Sequence, residues 1–183
     1  MGKTYANLSP ELQSWLKQQQ IFFVATAPLA SEGHVNCSPK GGDTFRVLNE
    51  REVAYLDLTG SGVETIAHLQ ENRRLVIMFC AFTGPPKVVR LHGRGEVIYP
   101  GHRDFPALLA LFPTYPGGRA IIRLVINRLS DSCGYAVPFM SFDGHRDALD
   151  KWAEKKGPEG LAEYRALKNR TSIDGHHGYK ELN

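Results

Sequence analysis

The feature that most narrows the possible folds is the rhythm of residues 21–137. Short β-rich runs follow one another there: IFFVATA, HVNCS, FRVL, VAYLDL, LVIMFCAF, VVRLHGRGEVIY, AIIRLVI and GYAVP. Between them lie turn-forming segments such as Ser31-Glu32-Gly33, Pro39-Lys40-Gly41-Gly42-Asp43 and Gly84-Pro85-Pro86. Glycine gives such segments positive φ, and proline presets φ near the turn value. Most are too short for the crossover of a dozen or more residues that a parallel pair requires. Eight strands therefore predict a mainly antiparallel barrel or sandwich. In the sixth run Val89, Leu91, Gly93, Gly95, Val97 and Tyr99 mark one face and Arg90, His92, Arg94 and Glu96 the other, with the two glycines predicting a bend or a close backbone approach.

Helical signals flank and interrupt this β region. Ser9 is an N-cap candidate, Pro10 suits the first helical position, and Leu12, Trp15 and Leu16 fall on one face of a helix ending by Gln20. A second helix follows Gly60, with Val63, Ile66 and Ala67 as its apolar stripe, and a third is expected around residues 105–112. Beyond Phe142, Leu149, Trp152 and Ala153 predict one helix and Leu161, Tyr164 and Leu167 another, divided by Gly157-Pro158. Residues 171–183 are polar and glycine-rich, and are expected to be ordered only if they dock.

With 183 residues the chain suits one domain, a barrel over residues 20–142 and a helical extension over 143–183. The composition, 42% hydrophobic and 22% charged, is that of a globular chain with a true core. A net charge of +3 scattered along the sequence argues against nucleic-acid or anionic-membrane binding. Cys37, Cys80 and Cys133 show no CxxC pairing, so neither a disulfide framework nor a thiolate zinc site is suggested, and a reducing compartment fits. The longest apolar stretches, residues 21–27 and 75–82, fall short of the roughly 20 residues needed to cross a bilayer. There is no leader-like start, and the opening Met-Gly has Ala at position 6 where a myristoylation site wants Ser or Thr. A cytoplasmic protein is expected.

Two segments carry chemistry. Leu58-Thr59-Gly60-Ser61-Gly62 leaves a strand and enters a helix, and Ser61 with Glu64 reads as a capping box. Such a junction offers unsatisfied N–H groups and the positive end of a helix dipole, which is how a phosphate is held. The same residue types also make a well-capped strand-turn-helix with no ligand. The second segment, Asn36, Ser38, Pro39, Lys40 and Gly41, ends another β run with a cation, polar side chains and a permissive backbone. It is either a hairpin tip or, if both segments reach one barrel rim, the source of a charge for that phosphate. Other constellations say less. His176-His177 with His102 or Cys133 lacks any metal-ligand spacing, Cys133 reads as a small packed thiol, and Trp152 and Tyr164 read as core. His68 and Glu71 read as the polar face of their helix. Arg90, His92 and Arg94 are either the wall of an anion groove or a solvated strand face.

The ordered set HVNCSPKGGDTFRVL, VAYLDLTGSG, IAHLQENRRLVIMF, GPPKVVRLHGRGEV and SCGYAVP, with an N-x-x-S-I-D-G segment from Asn169 to Gly175, resembles the pyridoxamine 5′-phosphate oxidase-like flavoproteins, especially a small bacterial branch with a helical tail. The resemblance covers nearly the whole chain. It implies an antiparallel FMN-binding split β-barrel with peripheral helices, usually a homodimer with FMN at the interface, acting as an oxidoreductase on a small molecule. Carried over by position, it implies cofactor contacts from Asn36, Ser38, Pro39, Lys40 and Gly41, from Leu58, Thr59, Gly60, Ser61 and Gly62, and from Val88 and Arg90. Ser132, Cys133, Gly134 and Tyr135 fall where the dimer partner approaches the cofactor. The chain departs from the true oxidases in having Glu64 and Thr65 where they have an Arg-Lys pair for the FMN phosphate, which leaves Lys40, Ser61, Arg46 or Arg90 to hold it. The C-terminal Arg-x-His substrate motif is absent as well, so oxidation of pyridoxamine phosphate is not implied. A non-catalytic flavin-storing or sensing module and a deazaflavin-binding reductase are the alternatives.

Overall fold

A computed structural model describes residues 2–180; Met1 and residues 181–183, the end of the expected tail, lie outside the described residues. The strands are β1 (Thr4–Tyr5), β2 (Ile21–Thr26), β3 (Asn36–Gly41), β4 (Phe45–Asn49), β5 (Glu52–Leu58), β6 (Arg74–Cys80), β7 (Val88–Ile98) and β8 (Gly118–Ser132). They form one sheet in the order β3-β2-β6-β7-β8-β5-β4, with β1 added on β8, and all pairings are antiparallel. The helices are α1 (Pro10–Lys17), α2 (Glu64–Glu71), α3 (Phe105–Leu109) and α4 (Ala148–Lys168). This is the expected mostly antiparallel split barrel with peripheral helices.

Alternation builds the core. Val24, Val53, Tyr55, Ile77, Val89, Leu91, Ile122 and Leu124 point inward and are sealed by α1 and α2. Four inward aromatic rings, Phe22, Phe45, Tyr55 and Phe79, pack with centroids 4.9–5.6 Å apart. The glycines of β7 mark a close approach. A Cβ on Gly93 would lie 1.9 Å from the Val125 carbonyl oxygen, where the β7–β8 register shifts. Ser9 caps α1 by accepting from Leu12 N, as expected.

Several elements differ from the sequence reading. GYAVP is no strand; Gly134 takes φ +63 just past β8, and the chain runs without regular structure to α4, leaving Tyr135 and Phe139 more than four-fifths exposed. The eighth strand is instead the two-residue β1, too short to carry a period. Pro39, Lys40 and Gly41 lie within β3 rather than in a turn, because β3 ends the sheet and an edge strand tolerates a proline. The turn itself begins at Gly42, with φ +69. The two expected C-terminal helices are present and are divided where the sequence predicts, since α4 leaves helical geometry at Gly157 with φ 68 and ψ 174, but Leu167 is exposed rather than packed. Trp152 and Tyr164 do meet, edge to face at 4.9 Å, but half-buried beneath Lys156.

The two ends of the sheet are drawn together by one buried carboxylate. Asp57 on β5, 1% exposed, accepts from Lys40 Nζ of β3 at 3.1 Å and from Arg119 Nε of β8 at 2.7 Å. Burial alone would raise its pKa, but Arg119 and Lys40 override that and hold the carboxyl below its ordinary value. Removing one partner of such a cluster strands the others without compensation. Asp57→Ala should cost about 3–5 kcal/mol in urea unfolding. Asp147→Ala, which removes an exposed i,i+4 partner of Lys151, should cost no more than about 0.5 kcal/mol.

Candidate functional site

Both segments singled out in the sequence reach the same rim. Asn36 Nδ2 donates to Thr26 Oγ1 at 3.1 Å and to Thr65 Oγ1 at 2.9 Å, and Ser38 Oγ donates to Asn36 Oδ1 at 3.0 Å. Asn36, Ser38 and Lys40 therefore face into the rim, whereas Pro39 and Gly41 are exposed on the other side of β3.

The mouth of α2 is closed by the chain itself. Val63 rather than Ser61 is the N-cap; Ser61 is exposed and makes no cap bond. The capping box fails because the donor nearest Glu64 is that of its neighbour: Glu64 Oε2 accepts from Val63 N at 3.0 Å, and Oε1 from Ile173 N at 3.4 Å. A Cβ on Gly62 would lie 2.7 Å from the same carboxylate. The loop carbonyls are occupied as well. Asn169 Nδ2 donates to Gly60 O at 2.9 Å and to Ser61 O at 3.3 Å, while Arg119 Nη2 donates to Gly62 O at 2.9 Å. Arg119 Nη1 reaches Asn169 Oδ1 at 2.8 Å, and Arg165 Nε reaches the buried Thr59 Oγ1 at 3.0 Å. Asp174 then anchors the tail on His34 through the backbone N–H at 2.8 Å and Nδ1 at 2.6 Å. A carboxylate sits where a phosphate would be held and Lys40 is committed to Asp57, so a phosphate dianion does not fit this seat.

Under the tail lies His68, fully buried rather than on a polar face as the sequence suggested. Its Nδ1 meets Thr26 Oγ1 at 2.9 Å, while Nε2 has no hydrogen-bond partner among the described residues.

The outer face of the sheet holds an open groove of about 400 Å³. Ala25, Ala27, Val35 and Val76 give it an apolar floor, with Arg74 and His92 on its wall. At the far end of β7, Arg90 Nη1 donates to Ser132 Oγ at 2.9 Å; Val88 is buried beside them, and Cys133 is exposed next to Gly134. The predicted residues are thus split: the Asn36 and Leu58 segments share the sealed rim, and Val88, Arg90 and residues 132–134 lie at the β7–β8 end of the outer face. Arg46 is held by Asp43 and the Leu111 carbonyl, away from both. Sequence reasoning missed Asp57 and Arg119, and named Asn169 only as the first residue of the tail segment. The one available signal was a carboxylate inside the apolar run VAYLDL, which a strand tolerates only when a cation meets it. Among the described residues no group of three metal-ligating side chains occurs, and no helix is long and apolar enough to cross a membrane.

A family model described as pyridoxamine 5′-phosphate oxidase matches residues 8–133. The pyridoxamine 5′-phosphate oxidase family protein ustO of Aspergillus flavus is 38% identical over 192 residues, spanning 93% of this chain and 75% of that one. Among solved structures, a variant of HupZ from Group A Streptococcus aligns with a TM-score of 0.54 at 18% identity, covering 68% of this chain and 99% of that one. A Lactobacillus delbrueckii protein provisionally named a pyridoxamine 5′-phosphate oxidase aligns at 0.52 and 18%, covering 69% and 98%. These two likenesses concern the fold.

Burial, and His176 beside it, push the His68 pKa below the ordinary value near 6.5. The unfolded chain then binds the proton more readily than the folded one, so His68 costs stability as the pH falls through 6.5. Asp174 is held below its ordinary value by His34 and gives up its contribution only in stronger acid. Unfolding free energy should therefore decline between pH 7 and pH 5.5, and His68→Gln should flatten that decline in urea titrations at each pH. An unchanged slope would show that His68 takes up its proton as freely in the fold as outside it.

Proposed function

The chain belongs to the pyridoxamine 5′-phosphate oxidase family, and on that footing we propose that it is a flavoprotein, with FMN as its cofactor and oxidoreductase activity on a small molecule. The observation that carries this reading is the apolar groove between Val35 and His92 in a chain of this family. A flavin needs a flat apolar surface for its ring system and polar groups at the edges, and the cofactor rather than the protein brings the redox chemistry. That division agrees with a groove that offers a surface and few acid–base groups. The α2 mouth, with Glu64 in it, is not the phosphate seat in this proposal.

The cofactor groove is proposed to be completed by a second copy of the chain. Residues 133–147 carry Tyr135, Phe139, Met140 and Phe142 out into solvent, all more than half exposed. Exposed apolar side chains gathered in one segment are characteristic of an interface.

The purified protein should show flavin absorption bands that bleach on reduction, bind about one FMN per chain, and run as a dimer in light scattering. A colourless protein that takes up neither FMN nor riboflavin would overturn the proposal. Stoichiometric flavin that is never reduced by nicotinamide donors and turns over no substrate would make it a storage or sensing module instead.

A further inference from the structure

Among the described residues, the cations of the outer face around β7 have no carboxylate within ion-pair distance. Arg90, His92 and Arg94 alternate along β7, Arg128 of β8 stands directly opposite His92, and Arg74 of β6 stands opposite Arg94. Their partners are neutral where they have any: Arg90 donates to Ser132, and Arg74 to Asn72 and the Pro28 carbonyl. The nearest carboxylate on this face of β7, Glu96, is taken by Arg123 at 2.6 Å and by Arg73. Asp131 of β8 is turned toward β1, where it accepts from Lys3 N and the Tyr5 hydroxyl. Opposite His92 on β6 is Val76, with Ala25 of β2 beyond it, both apolar. Like charges directly opposed on a sheet destabilise it. Desolvation together with Arg128 and Arg90 accordingly pushes His92 toward its neutral form.

A solvated strand face would be expected to intersperse acids among these bases. Here His92 and Arg74 stand on the wall of the groove over its apolar floor, and Arg128 stands opposite His92 on β8 with Arg90 two residues away on β7. We propose that Arg90, His92 and Arg128 form an anion subsite that takes a phosphate or carboxylate group of a small ligand whose apolar body lies along β2 and β6. The guanidinium groups bring fixed donors suited to a planar or tetrahedral oxyanion. The subsite stands on its own geometry. Where it meets the flavin reading, the anion comes either from the cofactor phosphate, which the α2 mouth does not accept, or from an acid group of the substrate.

The test is a pH titration of the His92 ring resonances by NMR in the flavin-free protein, with and without inorganic phosphate, at ionic strength matched by chloride. An anion beside His92 favours the imidazolium, so the midpoint should rise saturably by about 1 pH unit. Arg128→Gln, an exposed change, should weaken phosphate binding about tenfold, the scale of one charge-assisted contact. A His92 that responds to phosphate no more than to chloride overturns the subsite. So does a silent His92 accompanied by weaker dimerisation in Arg128→Gln, since the cations would then be met by acids of a second copy. The flavin arm separates the two sources. FMN bound more tightly than riboflavin, by a margin that Arg128→Gln removes, identifies the cofactor phosphate. Equal affinities, with His92 still responding in the flavin-loaded protein, identify an acid group on the substrate. A protein that binds no flavin while His92 responds keeps the subsite and removes only the flavin reading.

Discussion

The structure turns on the Asp57 carboxylate, buried among apolar strands and held by Lys40 on one side and Arg119 on the other. A charge in that position is tolerated only because both cations are within hydrogen-bond reach. The two cations come from strands far apart in the sheet order, so the same contacts that neutralise Asp57 draw the sheet into a barrel. Arg119 has donors to spare, and it spends them on Gly62 O and Asn169 Oδ1. The barrel, the loop before α2 and the C-terminal tail therefore share one electrostatic centre.

That centre explains why the rim resembles a phosphate site without being one. The loop of residues 58–62 has the glycines and hydroxyls expected of an anion cradle, but its carbonyls are turned toward Asn169 and Arg119. Glu64 accepts the N–H groups of Val63 and Ile173 where an anion would be received. What a carboxylate already occupies, a second anion is repelled from. The cationic surface around His92 lies on the opposite side of the sheet, along β7 and β8, next to the groove with the apolar floor.

Much of the fold was legible because alternation and punctuation are local. Seven of the runs became strands, Ser9 and Pro10 started α1, and the face division of VVRLHGRGEVIY came out as written, with Val89 and Leu91 buried and Arg90 and His92 outside. The failures have physical reasons. GYAVP has strand composition but no free partner edge beyond β8, and Pro39 reads as a turn unless one knows that its strand ends the sheet. The rim was half legible: the sequence picked out the Asn36 and Leu58 segments but left open whether they meet, and the structure brings them together through Asn36 with Thr65 and Lys40 with Asp57, on either side of residues 58–62. Its closure was not legible, since it depends on Arg119 and Asn169, which lie 50 residues apart and meet only once the tail has docked. His68 shows the same limit, looking like a surface histidine until residues 169–179 cover it.

The most direct measurement of this account is amide hydrogen exchange in Asn169→Ala compared with the unaltered chain. If one electrostatic centre ties tail to rim, residues 60–65 and 170–179 should lose protection together, while β5 and β8 keep theirs. Faster exchange in the tail with residues 60–65 unchanged would contradict the account, because the α2 mouth would then be closed without the tail.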